Sequence, residues 1–188
     1  MGRWGNDARG RLEEAALALY TERGFEQTTV AEIAERAGLT ERTFFRHFAD
    51  KREVLFSGSD LLKTLVVGGV EAAPPGTAPM AAVMAGLEAA GTRFQDSVPH
   101  SRQRQRVIDA NAELQARELS KLAMLSGAVA GALRRRGVSD PAAALTAEAG
   151  VLVFKTVFER WIADAAPQDW SRLVWATLDD LRAVTAGD

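Results

Sequence analysis

The side chains with the clearest chemical role stand close together between positions 40 and 47, in the run TERTFFRH. On a helix that advances about 100° per residue, Arg42, Thr43 and Arg46 point away from the side that holds Phe44. They carry guanidinium and hydroxyl groups, and an arginine fork matches the O6 and N7 acceptors of guanine. The pattern predicts a helix with one edge in a core and one edge that contacts base edges. The alternative is a solvated face without a partner, since polar outer faces are common.

Two short helices joined by a glycine turn are predicted to position these side chains. Thr29 and Glu32 have the spacing of a capping box, in which each side chain binds the other residue's backbone N–H and defines a helix start. Gly38 favours the left-handed conformation that ends this helix, and Thr40 caps the next one. Helices separated by so short a turn cross steeply. The sequence therefore predicts a helix-turn-helix.

A preceding helix completes a small head. Apolar residues follow helical spacing from Leu12 to Tyr20, and Gly24 closes a helix predicted from about Asp7 to Arg23. Tyr20 is interpreted as an aromatic at the edge of the core, with a phosphate contact as the alternative. Residues 1–52 are predicted to form a three-helix, helix-turn-helix DNA-binding domain, which is marginally stable alone because its core is small.

The remainder of the chain, residues 53–188, is also predicted to be helical, so the fold class is all-α. No segment alternates apolar and polar residues in the way that indicates a strand. Prolines at positions 79, 99, 141 and 167 mark breaks or first turns. The predicted helices span about residues 51–70, 79–95, 101–108, 112–136, 141–165 and 170–184.

The composition argues against an enzyme, a metal centre or a bound cofactor. The chain has no cysteine, and its two histidines, His47 and His100, are far apart in sequence. This excludes thiolate chemistry, disulfides and any zinc site built on cysteine. The sequence shows no glycine-rich phosphate loop after a strand, no serine elbow and no carboxylate pair marked by spacing. We expect no catalytic residue, no metal and no cofactor.

Targeting and membrane signals are not found in the sequence. The first residues lack an apolar signal region and the pattern of a myristoylation site. No run approaches the 18 consecutive apolar residues of a membrane span. We expect a soluble, cytoplasmic protein with no membrane partner.

The charge is balanced overall and positive only locally. The formal net charge is −2 and the sequence pI is near 5.8, the opposite of a generally basic nucleic-acid binder. Between residues 40 and 52, four basic side chains face two acidic ones, namely Arg42, Arg46, Lys51 and Arg52 against Glu41 and Asp50. So local a patch favours two copies acting together, with recognition helices about 34–36 Å apart on one face of the DNA.

An ordered set of residue types runs through the first part of the chain, at positions 15, 16, 19, 24, 25, 28–30, 33, 34, 37–40, 43–48 and 51. By this set, residues 9–55 resemble the DNA-binding domain of the TetR family of bacterial transcriptional regulators. The resemblance covers about a quarter of the chain. The family more often has tyrosine where Phe45 stands, and the hydroxyl of that tyrosine usually reaches a backbone phosphate. Phe45 cannot make that contact.

Carried over position by position, the resemblance implies DNA contacts of two kinds. The residues implied to contact phosphates are Thr28 or Thr29, His47 and Lys51. The residues implied to read base edges are Thr40, Arg42, Thr43 and Arg46. Arg42 is the candidate for a bidentate contact to guanine, and Phe45 completes the DNA-binding set.

The helix that begins near Pro141 carries an apolar arc of about 180°, wider than the 100° or so that covers one core. The surplus packs against a second subunit, lines a cavity, or both; the alternative is a fully buried central helix. The resemblance implies a homodimer through the last two helices, by residues 152–161 and 170–181.

The resemblance also implies a ligand pocket in the second domain, whose occupancy releases DNA. The candidate lining residues are apolar, and each is alternatively a core residue. They are Met84, Phe94, Met124, Leu125, Phe154, Phe158 and Trp161. Because none is charged, we expect an apolar or amphipathic small-molecule effector. Arg102 and Arg106 stand one helical turn apart and together suit a phosphate or carboxylate; a salt-bridged helix face is the alternative.

Taken as a whole, the sequence predicts a homodimeric, ligand-responsive transcriptional regulator of a palindromic, double-stranded operator. Repression is the expected mode and activation the alternative. The competing hypothesis from another class is a helical small-molecule-binding or scaffold protein whose DNA-binding head is non-functional. The basis of this hypothesis is that Phe45 lacks the hydroxyl of the family's more usual tyrosine.

Overall fold

The computed structural model describes the backbone of residues 3–91, 98–163 and 168–186. Within these residues the secondary structure is nine α-helices and one 3₁₀ helix, which confirms the all-α prediction. The 3₁₀ helix spans Glu53–Phe56. The α-helices are α1 Arg3–Arg23, α2 Val30–Arg36, α3 Glu41–His47, α4 Ser59–Ala72, α5 Pro79–Gly91, α6 Val98–Asp109, α7 Ala112–Arg135, α8 Asp140–Ala163 and α9 Trp170–Ala186.

Two of the predicted helix boundaries are corrected by the structure. The single helix expected over residues 51–70 is a 3₁₀ turn at Glu53–Phe56 followed by α4 from Ser59. Just before this turn, the Asp50 carboxylate accepts from the backbone N–H groups of Arg52 and Glu53 at 2.8 and 3.1 Å. Pro99 lies in the first turn of α6 rather than before the helix, where its missing N–H would be unpaired in any case.

The chain forms two compact units, and the division is not the one predicted at residue 52. Unit 1 comprises residues 1–58 together with 103–118, and unit 2 comprises residues 59–102 and 119–188. The difference has a packing cause. The apolar residues of the 3₁₀ helix and of the 103–118 segment are buried in the same core as the helix-turn-helix. These residues are Val54, Leu55, Phe56, Val107, Ile108 and Leu114.

The core of unit 1 joins the three helices of the head. Leu12 of α1, Ile33 of α2 and Phe44 of α3 are each fully buried, and burying side chains of this size contributes about 1.5–3 kcal/mol apiece. Tyr20 is also buried, and its hydroxyl donates to the carbonyl of Lys51 at 2.6 Å. The interpretation of Tyr20 as a core residue is therefore confirmed.

In unit 2, helices α4 and α5 approach each other closely at glycines. A Cβ on Gly69 would lie 2.6 Å from the Cα of Gly86, and a Cβ on Gly86 would lie 2.5 Å from the carbonyl oxygen of Val66. No real side chain tolerates such distances, so these positions need glycine for packing. Helix α5 also packs against α8 and α9, which places the core of unit 2 among these helices.

Helix α8 is the central helix of unit 2. It is the one described helix that is long and apolar enough to meet a length and composition criterion for crossing a membrane, with a mean hydropathy of 1.3 over its most apolar window. The core helix of a water-soluble domain meets the same criterion. The buried residues of α8 pack in the core of unit 2. They are Ala143, Ala147, Gly150, Val153, Phe154, Val157 and Trp161.

Candidate nucleic-acid interface

Side-chain and backbone caps define both helices of the helix-turn-helix. The Glu32 backbone N–H donates to Thr29 Oγ1 at 3.2 Å, and the Thr29 N–H donates to the Glu32 carboxylate at 2.9 Å. This is the predicted capping box. At the start of α3, the Thr43 N–H donates to Thr40 Oγ1 at 3.2 Å. Thr40 is therefore occupied in part as a cap, although its side chain remains exposed.

The turn between α2 and α3 depends on Gly38, which has a φ of +64°. The Gly38 and Leu39 N–H groups donate to the carbonyls of Glu35 and Ala34 at 2.9 and 2.8 Å. This pair of bonds is a Schellman motif and satisfies carbonyls at the end of α2. The guanidinium of Arg11 donates to the carbonyls of Ala37 and Gly38. Sequence reasoning missed Arg11, because its partners lie more than twenty residues away on another element.

Helix α3 has the two faces that its sequence predicts. Phe44 is fully buried and Phe48, which follows the helix, is 4% exposed, so both lie in the core of unit 1. Arg42, Phe45 and Arg46 lie on the exposed side. At about 100° per residue these three side chains fall within an arc of about 100°. The helix therefore presents a compact surface of two guanidinium groups and one aromatic ring.

Arg42 and Arg46 differ from the other basic side chains of the head. Neither makes a hydrogen bond or ion pair with any residue that the structure describes, whereas every other lysine or arginine between residues 8 and 58 has an acceptor within the protein. The residues with such acceptors are Arg9, Arg11, Arg23, Arg36, Lys51 and Arg52. An exposed guanidinium without an internal acceptor keeps all its donors for a ligand. Between residues 8 and 58, the two cations without a partner therefore stand together on the predicted recognition helix.

Lys51 is placed differently from the phosphate contact that the resemblance implies. Its Nζ donates to the carbonyls of Phe25, Glu26 and Thr28 at 2.9, 3.3 and 3.0 Å. The ammonium also lies 4.4 Å from the centroid of the Phe25 ring. Because an ammonium group has three donors, these carbonyls use all of them. The geometry makes Lys51 a clamp on the turn between α1 and α2.

Thr28 and Thr29, offered as alternative phosphate contacts, are separated by burial. Thr28 is 1% exposed, and its hydroxyl donates to the carbonyl of Gly24 at 2.9 Å. It belongs to the same turn that Lys51 holds. Thr29 is exposed at the N-terminus of α2, and its N–H and hydroxyl groups both donate to the Glu32 carboxylate at 2.9 Å. Of the two residues, Thr29 is the one that solvent or a ligand can reach.

His47 is half-buried at the end of α3, and its Nε2 atom has no hydrogen-bond partner among the described residues. Burial lowers the pKa of His47 below its ordinary value, and the charges of Arg46 and Arg9 act in the same direction. The ring is therefore neutral at neutral pH. A contact between Nε2 and a phosphate requires the ring to turn outward, because this atom is shielded from solvent.

The basic segment of α6 does not present two free guanidinium groups. The Nε of Arg102 donates to the carbonyl of Ile162 at 2.6 Å within unit 2. Arg106 is exposed and makes no hydrogen bond or ion pair with the described residues. Between them in sequence, Arg104 donates to the carbonyl of Leu55 at 2.5 Å and lies 3.5 Å from the carboxylate of Glu118. Arg104 thus ties the 103–118 segment to unit 1, a role that the sequence did not reveal.

The candidate pocket residues divide into three groups. Met84, Leu125, Phe154 and Trp161 are buried in the core of unit 2, and Phe158 is partly buried against that core. Met124 is 56% exposed and does not lie with them. Adjacent residues on a helix point about 100° apart, so burying Leu125 turns Met124 outward. Phe94 lies outside the described residues.

Trp170, at the start of α9, joins the aromatic residues of α8. Its ring centroid lies 5.8 Å from that of Trp161 and 6.2 Å from that of Phe154. The indole Nε1 donates to the carbonyl of Leu87 at 2.9 Å, and a Cβ on Gly91 would lie 2.1 Å from the indole Cδ1. Sequence reasoning did not assign Trp170 to this cluster, because it placed residues 170–181 in the dimer contact.

The fold and the site together define a helix-turn-helix protein with an additional helical unit. Comparison with known families agrees. Residues 12–57 match the family described as bacterial regulatory proteins, tetR family, and residues 77–186 match the MftR C-terminal domain. The second match alone covers more than half of the chain. The chain belongs to the TetR family of bacterial regulatory proteins.

Two individual relatives match over part of the chain. The HTH-type transcriptional regulator TcmR of Streptomyces glaucescens is 36% identical over 88 residues, 47% of this chain and 39% of that protein. The HTH-type transcriptional repressor KstR2 of Mycobacterium tuberculosis is 44% identical over 50 residues, 27% of this chain and 25% of that protein. The chain thus matches less than half the length of these two relatives.

A solved structure shares the fold over nearly the whole chain. SmeT of Stenotrophomonas maltophilia, in its complex with triclosan, superimposes with a TM-score of 0.62 at 20% identity and covers 94% of this chain and 90% of SmeT. This likeness shows the fold.

Proposed function

We propose that this protein is a DNA-binding transcriptional regulator that acts as a repressor on a palindromic, double-stranded operator in the bacterial cytoplasm. The observation that carries the proposal is the exposed pair Arg42 and Arg46. They are unpartnered among the described residues and stand on a helix whose opposite face is anchored by Phe44. In this proposal Arg42 makes a bidentate contact to guanine, and Thr40, Thr43 and Arg46 contact neighbouring base edges. Membership of the TetR family supports it.

The proposed phosphate contacts are Thr29 at the N-terminus of α2 and His47 at the end of α3. Lys51 is proposed to act indirectly, by holding the turn that presents Thr29. Thr28 belongs to the same support, because its hydroxyl is buried. In this arrangement few cations contact DNA, so affinity depends on two heads that bind together.

The test is a selection of genomic DNA fragments by the purified protein at low salt, followed by fluorescence anisotropy on the selected sequence. Arg42→Ala is expected to weaken specific binding by about 1–3 kcal/mol and to relax the preference at one base position. Arg106→Ala is the matched control, because it removes the same charge from another exposed arginine. An equal loss of operator affinity in the two variants would show that Arg42 contributes only non-specific electrostatic attraction. Failure to bind any fragment would favour the scaffold hypothesis.

We propose that the operator-binding form is a homodimer through α8 and α9. Leu145 and Leu152 of α8 are 72% and 51% exposed, and their spacing of seven residues places them on the same helix face. On α9, Trp175 is 37% exposed. Exposed large apolar groups on neighbouring helices favour a partner surface. Trp161, by contrast, is 2% exposed within one chain and is excluded from this surface.

Light scattering tests the dimer. Leu152→Glu is expected to give a monomer, because it places a charge in an apolar contact, while the thermal unfolding temperature of the subunit changes little. Leu119→Glu, at a leucine that is 63% exposed on α7, is the matched control and is expected to remain dimeric. Monomers from both variants, or dimers from both, would count against the α8 and α9 surface.

We further propose that a small apolar or amphipathic molecule binds in unit 2 and releases the operator. The uncharged residues around Phe154, Phe158 and Trp170 support this chemistry, and SmeT, which shares the fold, was solved with triclosan. The measurement is mass spectrometry of small molecules extracted from protein purified from its own host. A molecule that is recovered and lowers operator affinity when added back supports the proposal. Recovery of only charged, water-soluble molecules would contradict it.

A further inference from the structure

Phe45 is an exception among the apolar residues of unit 1. It is 56% exposed, and it is the one large apolar side chain among the described residues of unit 1 that is exposed to such an extent. The surrounding aromatic residues Phe44 and Phe48 are buried. Burial in the core of unit 1 therefore does not account for a phenylalanine at this position.

The ring of Phe45 is held in a defined place. It meets the ring of Phe44 edge to face, with centroids 5.5 Å apart and planes at 82°. Phe44 is fully buried, so the contact fixes the exposed ring against a rigid support. On the helix surface Phe45 lies next to Arg42, which precedes it by three residues, and Arg46 follows it. The apolar ring is thus flanked by the two guanidinium groups that have no partner among the described residues.

We propose that Phe45 reads thymine, by packing its ring against the C5 methyl group of a thymine in the major groove. The inference rests on the proposed function, because it requires α3 to enter that groove. The flanking guanidinium groups bring the ring to DNA. A phenyl ring has no hydrogen-bonding atom for a phosphate, and the thymine methyl is the apolar group that base edges present in the major groove. Phe45 thus lacks the hydroxyl for a phosphate contact, and its ring remains for base recognition.

The experiment replaces thymine by deoxyuridine in the selected operator, one position at a time. This change removes the methyl group and leaves the hydrogen-bonding edge intact. Each half-site is expected to contain one sensitive position. A single deoxyuridine there is expected to weaken binding of the wild-type protein about fourfold relative to the thymine operator, the ratio that corresponds to roughly 0.8 kcal/mol for one buried carbon. Substitution in both half-sites is expected to weaken binding about fifteenfold, because the two contacts are independent.

Two variants complete the test. Phe45→Ala is expected to bind the thymine and deoxyuridine operators equally, and its thermal unfolding temperature checks that the exposed substitution leaves the fold intact. Phe45→Tyr retains the ring and is expected to retain the preference for thymine. Tight wild-type binding that is indifferent to every deoxyuridine would overturn the inference and leave the proposed function standing. A preference for thymine that survives in Phe45→Ala would also overturn it. Absence of binding to any DNA would instead contradict the proposed function.

Discussion

Replacing Lys51 with methionine is expected to destabilise the protein without removing a DNA contact. In the folded chain the ammonium donates to three carbonyls, those of Phe25, Glu26 and Thr28, at 2.9–3.3 Å. Methionine keeps most of the apolar stem and removes the charge and the donors. Hydrogen bonds to charged groups contribute about 1.5–3 kcal/mol each, but the site is half-buried, and water replaces part of what is lost.

We therefore expect a loss of about 2 kcal/mol in the free energy of unfolding. The attraction between the ammonium and the Phe25 ring is included in this figure and is about 0.5–1 kcal/mol at a partly exposed site. For a chain of this size, 2 kcal/mol lowers the Tm by roughly 4–8 °C. Differential scanning calorimetry measures this change directly.

DNA binding of the same variant distinguishes a clamp from a phosphate contact. Each neutralised phosphate contributes about 0.9 to the slope of log K against log salt. If Lys51 only holds the turn, the Lys51→Met variant keeps the wild-type slope. The measurement is made at a temperature where the variant is folded. Arg42→Met is the matched comparison, because its side chain has no partner among the described residues. It is expected to keep the wild-type Tm and to lose operator affinity. A Lys51→Met protein with the wild-type Tm and a reduced salt slope would refute the assignment.

Further substitutions test the turn at Gly38, the half-buried His47 and the contact between α4 and α5. Gly38→Ala is expected to lower the free energy of unfolding in urea by about 1–2 kcal/mol, because a non-glycine residue is strained at φ +64°. Gly10→Ala, in open space on α1, is the control and is expected to raise it by about 0.5–1 kcal/mol. Changes of the same sign in the two variants would contradict this reasoning. The pKa of His47 is lowered in the folded state, so the unfolded chain takes up a proton more readily as the pH falls below about 6.5, and stability is lost there. His47→Gln is expected to flatten that part of the stability profile, and an unchanged profile would assign the pH dependence to other groups. Gly86→Ala is expected to destabilise by about 1–3 kcal/mol, because its Cβ would lie 2.5 Å from a backbone oxygen; a wild-type Tm would show that α4 and α5 separate easily.

Sequence reasoning worked best where the causes are local. The capping box of Thr29, the cap of Thr40 and the turn at Gly38 each involve residues within five positions of one another. Helical periodicity likewise placed Phe44 inside and Arg42 outside, because it depends only on the rotation per residue. These features determine the existence and the faces of the helix-turn-helix before any long-range contact forms.

Periodicity was less informative where either of two apolar faces of a helix could be buried. It was also less informative where the partners of a residue are far away in the sequence. Met124 and Leu125 are adjacent and both apolar, and only the packing of α7 decides that Leu125 is buried. The 103–118 segment is a further case. Its assignment to unit 1 depends on burial with Val54 and Phe56, about fifty residues earlier in the chain.

The sequence by itself determined the all-α class, the caps and turns of the head, and the exposed pair Arg42 and Arg46. Only the tertiary structure decided that Lys51 holds a turn, since its carbonyl acceptors lie 23–26 residues before it. The physical reason is that periodicity and capping are properties of neighbouring residues, whereas the partner of a lysine ammonium depends on which distant backbone the fold brings within about 3 Å.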